Sequence, residues 1–157
     1  MFTGSDGGVG MKKINVQNDL LIPEIVRLVE EGTAVTFTPK GSSMLPFIRG
    51  GKDSVELKRA EGAGVGDIVL ARVGQSAYVI HRIIRIEGDE VTLMGDGNIA
   101  GKERCRREDV LALATKIIRN GKETDCSSFG HKSAAAVWKI LLPARRYLLA
   151  VYRRIIK

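Results

Sequence analysis

Apolar positions recur along this 157-residue chain with two different periods, and the period changes twice. Ile22, Ile25, Val26 and Val29 repeat at helical spacing. They predict a helix over 19–31, with Asp19 as its cap, Pro23 in the first turn where a missing N–H costs little, and Gly32 as the stop. From residue 34 onward the pattern becomes that of short strands. Segments 34–38, 53–58, 67–73, 77–86, 91–94 and 110–119 are apolar or alternating; in 53–58, Val55 and Leu57 point one way and Glu56 and Lys58 the other. Turns are predicted at Gly74-Gln75-Ser76, at Gly88-Asp89 and, most strongly, at Asn120-Gly121. Two stretches break the alternation. Residues 39–51 form a loop containing Gly41, Gly50 and Gly51, and residues 96–107 are polar and irregular. The helical period returns in the tail. Val137, Leu141, Ala144, Leu148, Val151 and Ile155 step alternately by four and three, and Lys139, Arg146 and Arg153 form the opposite stripe. Pro143 is expected to kink or split that helix.

The fold class expected is therefore mainly β, with an N-terminal helix and a C-terminal basic amphipathic helix. Three parts follow: a flexible lead-in over 1–18, a single β-rich domain over 19–130, and the helical tail over 131–157. Charge sharpens this division. The net charge is +7, and the segment 132–157 holds seven Lys or Arg and no acid, which leaves 18 bases against 18 acids elsewhere. A neutral body argues against a domain built to grip nucleic acid, which needs a distributed basic patch. The tail instead suits an anionic membrane surface, with Trp138, Tyr147 and Tyr152 at the interface; the competing expectation is that its apolar stripe packs on the domain. Cys105 and Cys126 are too few for a disulfide scaffold and read as reduced thiols. No metal cluster or cofactor motif is visible. No basic-then-apolar leader and no apolar run of about 18 residues is found, so neither a secretory signal nor a membrane-crossing helix is expected.

The chemistry concentrates at three places. In Gly41-Ser42-Ser43-Met44-Leu45-Pro46, a serine leaves a strand in a glycine-flanked loop. Such a loop can present the Ser43 hydroxyl in the open and aim backbone N–H groups at a developing oxyanion, while Met44 and Pro46 fix the following turn. Taken alone, an ordinary serine turn explains it as well. His81 interrupts the apolar strand Tyr78-Val79-Ile80-His81-Arg82-Ile83-Ile84, sharing a side with Val79 and Ile83. A strand holds an imidazole rigidly, as a base serving serine requires, and histidine's ordinary pKa of about 6.5 suits proton transfer near neutrality. Gly95-Asp96-Gly97-Asn98 follows the strand 91–94 and is either a plain turn or the place from which Asp96 orients His81.

Together, Gly41-x-Ser43-Met44-x-Pro46, Gly66-Asp67-Ile68-Val69, His81-Arg82-Ile83 and Gly95-Asp96-x-Asn98 resemble signal peptidase I and its relatives, a superfamily that includes the self-cleaving LexA-type repressors. The His-Arg pair resembles the branch in which histidine replaces the usual lysine base. The likeness covers 36–119. It implies a β-rich catalytic domain and a serine endopeptidase that cuts a leader or signal-like peptide after small residues, with Ser43 as nucleophile, His81 as general base, Asp96 as its support and the loop Gly41, Ser42, Met44 and Pro46 around substrate and oxyanion. Two departures stand out. Gly41 occupies the place where many signal peptidases carry a second serine donor, and the further acid of the histidine branch falls on Lys102, with Glu103 beside it. The expected partner is a peptide or protein substrate, and the expected location is cytoplasmic, peripheral on the inner membrane face. Two rivals stand beside this reading: a catalytically idle binding module of the same fold, and a self-processing repressor-like protein, for which a DNA-binding helix-turn-helix is lacking.

Overall fold

In the computed structural model, which describes residues 21–156 and the backbone of residues 2–4 and 12–14, the strands join into one continuous sheet. In chain order the elements are β1 (Phe2–Gly4), β2 (Lys12–Ile14), α1 (Ile22–Glu30), β3 (Val35–Phe37), β4 (Ser54–Lys58), β5 (Ile68–Val73), β6 (Ala77–Glu87), β7 (Glu90–Met94), β8 (Glu103–Arg106), β9 (Val110–Arg119), β10 (Lys122–Asp125), α2 (Phe129–Ile140) and α3 (Arg145–Ile155). The strand order is β1-β2-β3-β4-β9-β5-β6-β7-β8, with β10 also on β9. Among the described residues, only β2 and β3 run parallel. The described part is thus β-rich with three helices. Within the expected lead-in, β1 and β2 extend the sheet; its remaining residues lie outside the described part, as does Asp19, the expected cap of the first helix.

Helix α1 buries Ile22, Ile25, Leu28 and Val29 against the sheet, the face its spacing defines. These residues join Val35, Phe37, Val55, Leu57, Ile68, Leu70, Ala112, Ala114 and Ile117 in the larger core. Met44 and Ile48 of the loop after β3 enter the same core, so the loop is anchored rather than free. A smaller cluster of Val69, Ala71, Ile83, Val91 and Leu93 fills the other side. Strand β5 is shared between the two, which is why it reads as an unbroken apolar run. Asn120 and Gly121, both with positive φ, close the β9–β10 hairpin with Arg119 opposite Lys122, as the sequence predicts.

One expectation is corrected, and one pair of alternatives is decided. The stretch 96–107 is not irregular throughout, because Glu103–Arg106 forms β8 on the sheet edge, pairing Leu93 with Glu103 and Val91 with Cys105. The tail is split, as Pro143 requires, by a 3₁₀ turn over Leu142–Ala144, but the predicted apolar stripe does not pack on the domain. Val137, Val151 and Ile155 are more than half exposed, and the helices sit on the body through His131, Trp138, Arg145 and Leu149. That face wins because it brings donors. Trp138 Nε1 donates to the Asp96 carbonyl at 2.7 Å, and Arg145 donates to the Asn98 carbonyl at 3.1 Å and to the Trp138 carbonyl at 3.2 Å. The Asp96 and Asn98 carbonyls belong to a turn and have no strand partner, and a purely apolar stripe would bury them unpaired.

The far end of the serine loop is fixed by a buried ion cluster. Asp53 is completely buried and accepts hydrogen bonds from both Arg49 and Arg119, while Arg119 also donates to the Pro46 carbonyl at 3.0 Å. Burial alone would raise the Asp53 carboxyl, but the hydrogen bonds from Arg119 and Arg49 outweigh it and hold the group below its ordinary value of 3.8. A carboxylate depressed in the folded state gives stability that is present above the unfolded pKa and is lost as pH falls through the folded one. Asp53→Asn is therefore expected to cost about 3 kcal/mol at neutral pH, the low end for a broken buried pair because Arg119 is partly exposed. Urea unfolding should show this gap at pH 7 and show it narrowing below about pH 4; a gap independent of pH would refute the assignment.

Candidate active site

Ser43 follows Gly41, whose φ of +92° turns the chain out of the Val35–Phe37 strand in a conformation that L side chains rarely adopt. The buried side chains of Met44 and Leu45 then pin the loop, and the Leu45–Pro46 peptide is cis. Short-range bonds from the Phe47 and Ile48 N–H groups to the Met44 carbonyl curl the backbone into a tight turn. Ser42 is exposed, whereas Ser43 is half-buried.

The turn 95–98 forms the opposite wall. Gly97 N–H donates to the Ser43 carbonyl at 2.7 Å, and Asp96 N–H points to Met44 Sδ at 3.4 Å. The approach is close enough to demand glycine. A Cβ on Gly95 would lie 2.3 Å from the Ser43 carbonyl oxygen and 3.1 Å from His81 Nε2, and one on Gly97 would lie 2.3 Å from the Ser42 carbonyl oxygen. The glycines that made this segment look like a plain turn are those that let it support the serine.

The Ser43 hydroxyl lies 3.1 Å from His81 Nε2, although 38 residues separate them. The other ring nitrogen, Nδ1, is hydrogen-bonded to the Glu103 carboxylate. With the proton on Nδ1 and donated to Glu103, Nε2 is left with a lone pair for the Ser43 O–H. One arrangement then satisfies all three groups. His81 is buried and Glu103 half-buried, so water screens this chain poorly.

Asp96, expected to orient His81, does not touch it. Its carboxylate takes three hydrogen bonds from Arg82, Nε at 2.9 and 3.2 Å and a terminal nitrogen at 2.7 Å, and Arg82 also donates to the Gly66 carbonyl at 2.8 Å. Strand alternation explains the exchange of partners. His81 and Arg82 are adjacent on β6 and point to opposite faces. Arg82 pairs with Met94 across the sheet, so Asp96, two residues beyond Met94, lies on the Arg82 side. Ile83 pairs with Leu93, which pairs with Glu103, and these share the face of His81. Glu103 therefore arrives from the edge strand that the sequence reading treated as loop. Two signals mark it: its place beside Lys102, where the histidine branch carries a further acid, and the alternation Glu103-Arg104-Cys105-Arg106, whose two arginines are exposed while Glu103 and Cys105 turn inward. Lys102, next to it, is exposed.

A cleft of about 240 Å³ opens beside the pair, with Ser43 and His81 in its lining and with Phe37, Ile48, Leu70, Tyr78 and Ile80 as apolar walls. The cysteines do not compete for the role of nucleophile: burial pushes the Cys126 thiol up to about 12 and raises Cys105 as well. Among the described residues, no group of three His, Cys, Asp or Glu is placed to hold a metal ion, and no helix is long and apolar enough to cross a membrane. Neither the family models nor the curated proteins with which the chain was compared give a match.

Proposed function

We propose that the chain is a serine endopeptidase of the signal-peptidase type, built on the LexA-like β-rich fold, in which Ser43 attacks a peptide carbonyl and His81 is its base. The observation that carries the reading is the hydrogen-bonded line from the Ser43 hydroxyl through His81 to Glu103, at the edge of a cleft. In the acylation step the Ser43 Oγ bonds to the scissile carbon as its proton passes to His81 Nε2. The imidazolium so formed is stabilised by the Glu103 carboxylate and returns the proton to the departing amine. Water then attacks the acyl-enzyme, again with His81 as base. In this scheme the backbone N–H of Ser43 serves the oxyanion, since position 41 has no side chain to give. The small cleft, with apolar side chains along its walls, fits a substrate with small apolar residues before the cleaved bond. Asp96 has a different task in this scheme: with Arg82 it holds the turn on which the serine loop rests.

The direct test is to incubate the full chain with a peptide pool containing leader-like sequences and to map new termini by mass spectrometry, beside Ser43→Ala. New termini in the first reaction only, with an acyl adduct on the Ser43 peptide after acid quench, are expected. Identical termini in both reactions, or none in either, would assign the fold to a binding role.

A further inference from the structure

We propose that α2 and α3 form a docking element for an anionic lipid bilayer, lying in the interface without crossing it. This goes beyond the hydrolytic reading and does not depend on it. The body uses only one face of each helix. On α3, Arg145 and Leu149 are buried and Tyr152 half-buried, a spacing of four and three, and on α2 the matching positions are His131, Ala135 and Trp138. The next face round is apolar and open. Tyr147, Val151 and Ile155 share one strip of α3 and are 68%, 58% and 73% exposed; Phe129, Val137 and Ile140 are open on α2 at 87%, 55% and 77%. Among the described residues, eight of the ten exposed large hydrophobic side chains fall in 129–155, so the rest of the surface is not of this kind.

Charge decides what covers this face. Lys132 and Lys139 on α2 and Arg146, Arg153 and Arg154 on α3 are exposed beside the apolar strips, and the segment 132–157 contains no Asp or Glu. A second copy of the chain would set two wholly basic rims against each other. A nucleic acid would use the charges but leave the large apolar side chains in water. An anionic bilayer satisfies both, with acyl chains under Ile140, Val151 and Ile155 and lipid phosphates at the arginines and lysines. The helices have 12 and 11 residues, far short of a span. They are also firmly mounted, since Trp138 and Arg145 hydrogen-bond to the turn 95–98 that supports Ser43. A membrane bound by these helices therefore lies against the module that carries the cleft, not at the end of a loose tether.

The experiment is co-sedimentation of the full chain with phosphatidylcholine vesicles and with mixed phosphatidylcholine–phosphatidylglycerol vesicles, at low and raised salt. Binding to the mixed vesicles alone, weakened by salt, is expected. Lys139→Gln, Arg146→Gln and Arg153→Gln should each weaken it about fivefold, and the double substitution Ile140→Asp with Val151→Asp should abolish it. All five positions are exposed, so circular dichroism and thermal melting should match the parent protein. Equal binding to both vesicle types, or mixed-vesicle binding untouched by the Asp pair, overturns the proposal. Sedimentation as a dimer that the Asp pair converts to a monomer, without vesicle binding, would give the face to a second copy.

Discussion

Replacing Ser43 with alanine is expected to lower kcat for peptide cleavage by roughly 10⁶-fold, and replacing His81 as well to cost almost nothing more. In the proposed mechanism the two groups act as one device. The hydroxyl is a poor nucleophile unless a base takes its proton as the bond forms, and the base has nothing to activate once the hydroxyl is gone. With Oγ and Nε2 3.1 Å apart, the transfer needs no rearrangement of the loop. The losses of the single variants and of the double variant should therefore coincide, whereas two residues acting independently would multiply. The readout is single-turnover cleavage of one peptide found in the pool, with KM measured in parallel. KM should move little, because the walls of the cleft come from Phe37, Leu70, Tyr78 and Ile80 and are untouched. Both side chains are polar groups whose removal leaves the apolar core intact, so the variants should remain folded. A Ser43→Ala enzyme within tenfold of the parent would end the proposal that this hydroxyl is the nucleophile.

What the sequence disclosed about this site, and what it hid, both follow from strand geometry. His81 was visible because a histidine after Tyr78-Val79-Ile80 breaks an apolar run, and the 77–86 strand was right to within a residue of β6. Ser43 was visible because its loop interrupts the alternating pattern. Their meeting was not visible, since it depends on β5 and β6 pairing so that His81 faces the loop leaving β3. Asp96 and Glu103 were confused for a related reason. A glycine-flanked aspartate announces itself, while the four-residue edge strand Glu103–Arg106 is almost wholly polar and gives no hydrophobic period to read. Likewise the tail's helical stripe was legible, but not which face would pack. That choice was made by the Trp138 and Arg145 donors and the orphan carbonyls of the turn 95–98, which are far apart in sequence.

Glu103→Gln is expected to reduce kcat about 10⁴-fold while leaving the fold as stable as before, and Asp96→Asn to do nearly the reverse. Glu103 sits half-exposed on an edge strand, so a neutral amide of the same shape is accommodated there. What changes is the imidazole. A glutamine side chain can donate to Nδ1, which would place the ring proton on Nε2 and turn the base away from Ser43. Even in the correct tautomer the imidazolium would lose its counter-charge. Asp96 differs in burial and in partner. It and Arg82 are both under a tenth exposed, and the amide would leave the Arg82 guanidinium buried beside Phe47 with no carboxylate. Breaking such a pair costs about 3–5 kcal/mol, which for a chain of this size lowers Tm by on the order of 10 °C. Below that Tm, kcat should fall only as far as the turn 95–98 shifts the serine loop. Melting curves and kcat on the same two variants therefore separate the roles. If Asp96→Asn lost its activity at unchanged Tm while Glu103→Gln kept its own, the aspartate would be the support of His81 after all, and the register by which Glu103 reaches the imidazole would have to be wrong.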